Sequence, residues 1–286
     1  MWLFRLLGPV RLERDGEDVP IGAPQFKVVL ATLAAHAGAV VPPDRLAEEL
    51  WDVPPASATA QLHGIVWRLR RVLGRDRIAT ARPGYVLRAA EAELEPEVFR
   101  RDVARGRELL ARGDVEAGAD RLREALARWR GPALVEVRGA AHLAARLDEE
   151  RMAAWEDRVD ADLALGRDVV GELTALVAQH PVRERFRGQL MTALAMSGRV
   201  VEALDAYAAF RGMLVRELGV EPSEWLRDLH TGILRGAAAG RSHPAAALCC
   251  QGQGRSDVTL SRCSGSRSPW NPGPTMKMSW LNPAAS

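Results

Sequence analysis

The sequence predicts an α+β winged helix-turn-helix domain followed by an all-α helical domain of tetratricopeptide-like type. Three observations predict it: short alternating runs framing three helical segments in residues 1–91, nearly unbroken helical periodicity over 95–236, and small residues at a fixed offset after glycine turns. A chain of 286 residues has room for two ordinary domains. The remaining stretch, 237–286, is rich in Gly, Ser and Pro, lacks sustained periodicity and is expected to be a disordered tail.

The first 22 residues alternate apolar and polar positions in LFRLLG, VRLERDG and EDVPIG, with Gly8-Pro9 and Asp15-Gly16 as turns, and read as a small antiparallel sheet. From Ala23 the spacing becomes helical: Phe26, Val29, Leu30, Leu33 and Ala34 form one stripe, and Gly38 stops it. VVPPDRLAEELW supplies a second, short helix over 43–51. DVPPAS breaks it, and a third helix runs from about Ala56 to Leu73, stopped by Gly74. Two β-prone runs, Ile78 to Thr80 and Tyr85 to Leu87, are joined by Ala-Arg-Pro-Gly and close the domain as a hairpin.

Downstream, the helical pattern breaks at Arg112-Gly113-Asp114, Gly131-Pro132, Gly166-Arg167-Asp168, His180-Pro181, Ser197-Gly198-Arg199 and Gly219-Val220-Glu221-Pro222. Five residues after Gly113, Gly166 and Gly198 stand Gly118, Gly171 and Ala203; nine residues after them stand Leu122, Ala175 and Tyr207. That offset is the tetratricopeptide phase, in which small residues let paired helices approach. A plain helical bundle is the other reading of the same periodicity.

Composition narrows the function. With 47% hydrophobic and 27% charged residues and no apolar stretch long enough to span a bilayer, the chain is not read as a membrane protein. Its opening MWLFRLLGPVRLERDGEDV lacks the layout of a secretory signal, so a cytoplasmic location is expected. All three cysteines lie in the tail, at 249, 250 and 263, which excludes a disulfide scaffold. The net charge of +2 conceals an asymmetry: residues 1–90 carry +3, residues 91–236 carry −5 and the tail carries +4. A basic front and an acidic middle point to different partners.

No common catalytic signature is found: GxxxxGK[ST], HExxH, GxSxG and CxxC are missing, and the six histidines are scattered without metal-ligand spacing. No catalytic, cofactor or metal site is expected. The acids Asp148-Glu149-Glu150, Asp157 and Asp160 lie on an arginine-rich helix and read as a solvated, salt-bridged face.

The informative segment is the third helix. At about 100° per residue, Leu62, Val66, Leu69 and Leu73 share one narrow arc and pack inward. The opposite arc collects Ala60, Gly64, Trp67, Arg68 and Arg71. Small side chains there permit close approach to a major groove, and arginine binds guanine bidentately or grips phosphate. Ser57 or Thr59 is placed to cap the helix and donate to phosphate. His63, in the same stretch, is expected to be a DNA-binding residue with them. Seven arginines lie between 68 and 88 against the single acid Asp76, a stripe suited to a polyanion. Arg82, at the hairpin tip, is placed to reach an adjacent minor groove. For Arg70 and Arg75 the plainer reading is pairing with Asp76, Glu48, Glu49 or Asp52. Trp67 reads either as stacking on sugar or a thymine methyl, or as a contact with a second protomer.

The run LGPVRL, the span APQFKVVLATLAAHAGAVVPPDRLAEELW and WRLRRVLGRDRIATARPGYVL resemble the DNA-binding domain of the Streptomyces antibiotic regulatory protein family, an OmpR-type winged helix. LREALARWRGPAL, RVDADLALGR and LTALVAQHPVRERFRGQLMTALAMSGRVVEALDAYAAFRGMLVRELGVEPSEWL are similar to that family's bacterial transcriptional activation domain. The resemblance covers about residues 2 to 235. It implies an activator of secondary-metabolite gene clusters that binds direct repeats of double-stranded promoter DNA and recruits the RNA polymerase holoenzyme. If several protomers bind such repeats as a homo-oligomer on DNA, half-sites about one helical turn apart would set them head to tail on one DNA face. The recognition helix departs from the family pattern, which usually has Asn at the position of Ala60, a larger residue at Gly64 and Ser at Trp67. A mid-helix glycine costs about 1 kcal/mol relative to alanine, and Ala60 lacks an amide that could read adenine. The alternative to an activator is an adaptor whose helical repeats bind a protein and whose winged domain is degenerate. Residues 1–90 are expected to hold a core of their own.

Overall fold

The computed structural model describes residues 1–236; the expected disordered tail, 237–286, lies outside the described residues. Strands β1 (Trp2–Arg5), β2 (Arg11–Arg14) and β3 (Glu17–Val19) form an antiparallel sheet in that order, with Phe4 opposite Leu12 and Leu12 opposite Val19. The period of two puts Trp2, Phe4 and Leu12 on the buried face. Asp15 and Gly16 both take positive φ, 54° and 89°, as a two-residue hairpin joining β2 to β3 requires.

Helices α1 (Pro24–Ala35), α2 (Pro43–Leu50) and α3 (Ala58–Leu73) follow, the first two opening on a proline whose missing N–H costs nothing at that position. Strands β4 (Ile78–Ala81) and β5 (Gly84–Leu87) make the hairpin wing. The wing is tied to the α1–α2 connection by paired hydrogen bonds between Val41 and Tyr85, of 2.8 and 3.0 Å. A Cβ on Gly84 would lie 2.0 Å from the Val41 carbonyl oxygen, so only glycine permits that approach.

The rest is helical: α4 (Glu95–Ala111), α5 (Val115–Leu126), α6 (Ala141–Ala164), α7 (Val170–Gln179), α8 (Glu184–Met196), α9 (Val200–Leu218) and α10 (Glu224–Leu234). Helices α4 and α5 meet at Gly106 and Gly118, where an added Cβ would fall 2.8 Å from Leu122 and 2.5 Å from Leu110. Gly118, Leu122, Ala203 and Tyr207 are buried, as their offset predicts. The middle pair departs from it. Gly171 and Ala175 are exposed, and Leu173, Leu176 and Val177 face the core instead. The reason is where α7 starts. Helices α5 and α9 begin two residues after their glycine turns, whereas α7 begins four residues after Gly166; two extra residues rotate the expected face by about 200°.

Two hydrophobic clusters organise the described residues. One runs from Trp2 through the three N-terminal helices and the wing into Phe99, Leu122, Trp129, Leu134 and Leu147. The other joins Met152 and Val159 of α6 to α7, α8, α9 and α10. The first cluster crosses the break at 91–95, which corrects the expectation that residues 1–90 close a core alone. Glu95, fully buried, accepts the N–H groups of Leu6 (2.8 Å) and Leu7 (2.9 Å) and pairs with Arg130 (2.8 Å) and Arg5 (3.2 Å). The α5–α6 connection adds backbone bonds from Arg130 to Leu7 and from Leu134 to Leu6.

The acids of α6 are paired, but not as a merely solvated face. Glu149 takes Arg183 in two 2.8 Å bonds, Glu150 takes Arg100, and Asp157 and Asp160 share Arg185, so these pairs knit α6 to α4 and α8. Among the described residues no helix is long and apolar enough to cross a membrane, and no group of His, Cys, Asp and Glu is arranged to hold a metal ion.

Candidate nucleic-acid interface

Helix α3 is amphipathic, and its two faces are separated as the periodicity requires. Leu62, Ile65, Val66, Leu69 and Leu73 are buried against the rest of the winged domain. Thr59, Ala60, His63, Gly64, Trp67, Arg68 and Arg71 are all exposed. At Gly64 nothing beyond its own helix comes within 4 Å of an added Cβ, so no packing among the described residues demands a small residue there. Trp67 is 54% exposed on the same face, against the usual tendency of tryptophan to be covered.

The arginines of this face rest on aromatic rings. Arg71 lies 5.0 Å from the centroid of Trp67, and Arg68 lies 5.5 Å from that of Phe26 on α1. Such contacts hold a guanidinium in place without using its N–H donors. Among the described residues neither arginine donates to an acceptor. His63 meets Tyr85 edge-on at 6.5 Å, which puts it at the junction of α3 with the wing.

The expected cap is corrected. Ser57 stands at the N-cap of α3 with φ −90° and ψ 7°, and its side chain accepts none of the first-turn backbone N–H groups. A capping residue takes extended backbone to bring its oxygen beneath the first-turn N–H groups, and Ser57 does not. Its Oγ instead accepts from Gln61 Nε2 at 2.9 Å. Gln61 was legible as a residue one turn later, but periodicity assigns it no role.

Two of the seven arginines turn inward. Arg70 donates to the Ile78 carbonyl and to Thr80 Oγ1, each at 2.8 Å, so it fastens α3 to β4, and among the described residues it makes no ion pair with Asp76, Glu48 or Glu49. Arg77 grips Glu93 through two bonds of 2.6 and 2.9 Å. Burial acts to raise the Glu93 carboxyl, but the Arg77 and Ala90 hydrogen bonds and the Arg77 charge outweigh it and hold it below the usual carboxylate value. Burial raises the Tyr85 phenol, with the Arg70 charge in opposition. Arg75, Arg82 and Arg88 are exposed, and Arg82 occupies the turn between β4 and β5. The basic surface is therefore Arg68, Arg71, Arg75, Arg82 and Arg88 rather than all seven.

Comparison with known proteins places both halves. Residues 16–87 match the family described as transcriptional regulatory protein, C terminal, and residues 95–234 match the bacterial transcriptional activator domain. Regulatory protein DnrI of Streptomyces peucetius is 38% identical over 249 residues, a match covering 81% of this chain and 92% of that protein. Regulatory protein AfsR of Streptomyces coelicolor is 40% identical over 81% of this chain, which spans only 24% of that longer protein. The solved structure of Mycobacterium tuberculosis EmbR, in complex with a low-affinity phosphopeptide, superposes with a TM-score of 0.78 at 34% identity, covering 87% of this chain and 68% of that one. An OmpR-type winged helix joined to a bacterial transcriptional activation domain, over nearly the whole length of DnrI, makes this chain a member of the Streptomyces antibiotic regulatory protein family and a transcriptional activator of that type.

Proposed function

We propose that the chain activates a secondary-metabolite gene cluster, such as one for an antibiotic, by binding direct repeats in promoter DNA through α3 and the wing and recruiting RNA polymerase holoenzyme through its helical domain. The observation that carries the reading is the outward face of α3, where Arg68 and Arg71 are held on aromatic rings and, among the described residues, leave their donors unused beside an open Gly64. In a major groove, Ala60 and Gly64 admit the helix closely, Arg71 reaches a base edge, Arg68 reaches a base or phosphate, and Ser57, Thr59 and His63 lie toward the backbone. Trp67 offers its exposed edge to a sugar or a thymine methyl. Protomers on direct repeats would lie head to tail on one DNA face when half-sites are about one helical turn apart.

The full chain, mixed with fragments of its source genome, is expected to retain promoter fragments bearing a repeat and to stimulate transcription from them by added RNA polymerase holoenzyme. Retention of no fragment above the background of unrelated DNA would favour the adaptor reading instead. Arg82→Ala is expected to reduce affinity more on A·T-rich than on G·C-rich flanks, because a narrow minor groove concentrates negative potential where the wing tip reaches. Titrations on two flank-swapped duplexes check this, and equal losses would reassign Arg82 to a phosphate.

A further inference from the structure

Besides the continuous core and the backbone bonds of the α5–α6 connection, buried carboxylates hold the winged domain to the helical domain on two different elements. Glu95 binds the sheet side. The second joint is on α2, where Glu49 and Arg45, one turn apart, hold a single residue of the 3₁₀ turn Arg138–Ala140 that leads into α6. Glu49 Oε2 accepts the Gly139 N–H at 2.7 Å, and Arg45 donates to the Gly139 carbonyl at 3.0 Å. Glu49 is only 4% exposed, and Arg45 faces it at 3.6 Å. Both backbone polar groups of Gly139 are thus held by one ion pair.

Gly139 is not among the glycines with positive φ, so backbone conformation does not require glycine there. Space does. A Cβ would lie 2.1 Å from Glu49 Oε1 and 2.9 Å from the Arg45 guanidinium. The shared core and the sheet-side bonds hold the β1–β2 connection against the helical domain, and the contact on α2 adds a hold on the side of the winged domain that carries α3. Helix α2 packs directly on α3, so whatever fixes α2 fixes the DNA-facing helix with it.

We propose that the Arg45–Glu49 grip on Gly139 is a positioning device that sets the orientation of α3 relative to the activation domain, so that activation depends on it while binding to a single site does not. This rests on the division of labour proposed above, with α3 on DNA and the helical domain on polymerase.

The test uses the full chain and the DNA fragment that the wild type itself selects. In Gly139→Ala the added methyl meets the far end of a flexible glutamate, which swings away, while the Glu95 joint keeps the domains attached. Affinity for one half-site is expected to stay within about twofold, as for a change remote from the contact. Transcription from the fragment is expected to fall by at least about fivefold, the scale of a lost coupling between sites. Spin labels at positions 75 and 216, in a chain whose three cysteines are replaced by serine, are expected to show a broader distance distribution than in the parent. Glu49→Gln keeps an acceptor for the Gly139 N–H and is expected to retain most of the activation. Wild-type activation in Gly139→Ala, equal losses of affinity and activation, or an unchanged distance distribution would each overturn the proposal. A wild-type chain that neither binds nor activates would defeat the underlying reading instead.

Discussion

Arg71→Ala is expected to weaken binding of the full chain to its operator by about 1–3 kcal/mol, roughly 5- to 150-fold. Arg71 is exposed and stacked on Trp67, and among the described residues it donates to no acceptor, so its removal takes nothing from the fold beyond that stacking. The form of the loss identifies the contact. If Arg71 reads a guanine, the deficit is confined to duplexes that keep that base pair, and preference relaxes there. If it holds a phosphate, every duplex loses alike, and the slope of log affinity against log salt becomes shallower by about one unit. Titration of wild type and variant on matched duplexes at several salt concentrations distinguishes the two, and unchanged affinity on all of them would remove α3 from the interface. Arg70→Ala provides the contrast, because Arg70 is spent on Ile78 and Thr80 and its loss is expected to appear first as a lower unfolding midpoint. Trp67→Ala removes the platform under Arg71, so the two substitutions should be non-additive by about 0.5–1 kcal/mol.

What the sequence makes legible is which way a residue faces, because that depends on the period of its own element. The inward stripe of α3, the hairpin with Arg82 at its turn, and the tight α4–α5 crossing at Gly118 and Leu122 are all local patterns of this kind. The misplaced face of α7 belongs there too: a turn two residues longer rotates the helix, and no glycine spacing reports where the helix begins. Partners are a different matter. Arg146 and Glu150 stand one turn apart and could be paired by inspection, but Arg77 finds Glu93 across the end of the wing, and Glu49 finds Gly139 ninety residues away. The period of α2 sets Glu49 one turn from the buried Leu46 and Glu48 on the opposite side, but it does not name Gly139 as the group that Glu49 meets. The arginine stripe holds seven charges in the sequence but presents five, because Arg70 and Arg77 are engaged within the fold. Composition counts charges, whereas folding had already used two of them.

Glu95→Ala is expected to be the most damaging single change to the fold, and its effect should fall on the N-terminal sheet, which is distant in sequence. The carboxylate is fully buried and accepts two backbone N–H groups of the β1–β2 connection while pairing with Arg130 and Arg5. Its removal leaves the Leu6 and Leu7 N–H groups buried without an acceptor, at about 1–3 kcal/mol each. The two arginines are each about a quarter exposed or less and can partly turn to water, so their share is smaller. A loss of about 3–5 kcal/mol is the scale for removing one partner of a buried ionic cluster, a large part of the roughly 5–15 kcal/mol that holds an ordinary domain together. Glu95→Gln keeps an acceptor for the backbone while giving up the charge, and should lie between. Denaturant unfolding of the three chains checks the order, expected as wild type, then Gln, then Ala. The same reasoning governs truncation. A chain ending at residue 90 lacks Glu95 and also Phe99, Trp129 and Leu134, which lie in one continuous core with Trp2, Phe4 and Leu6. It is expected to show no cooperative unfolding transition and no selective operator binding, whereas a fragment that unfolded cooperatively at the midpoint of the whole chain would mean that the shared core contributes nothing to the winged domain.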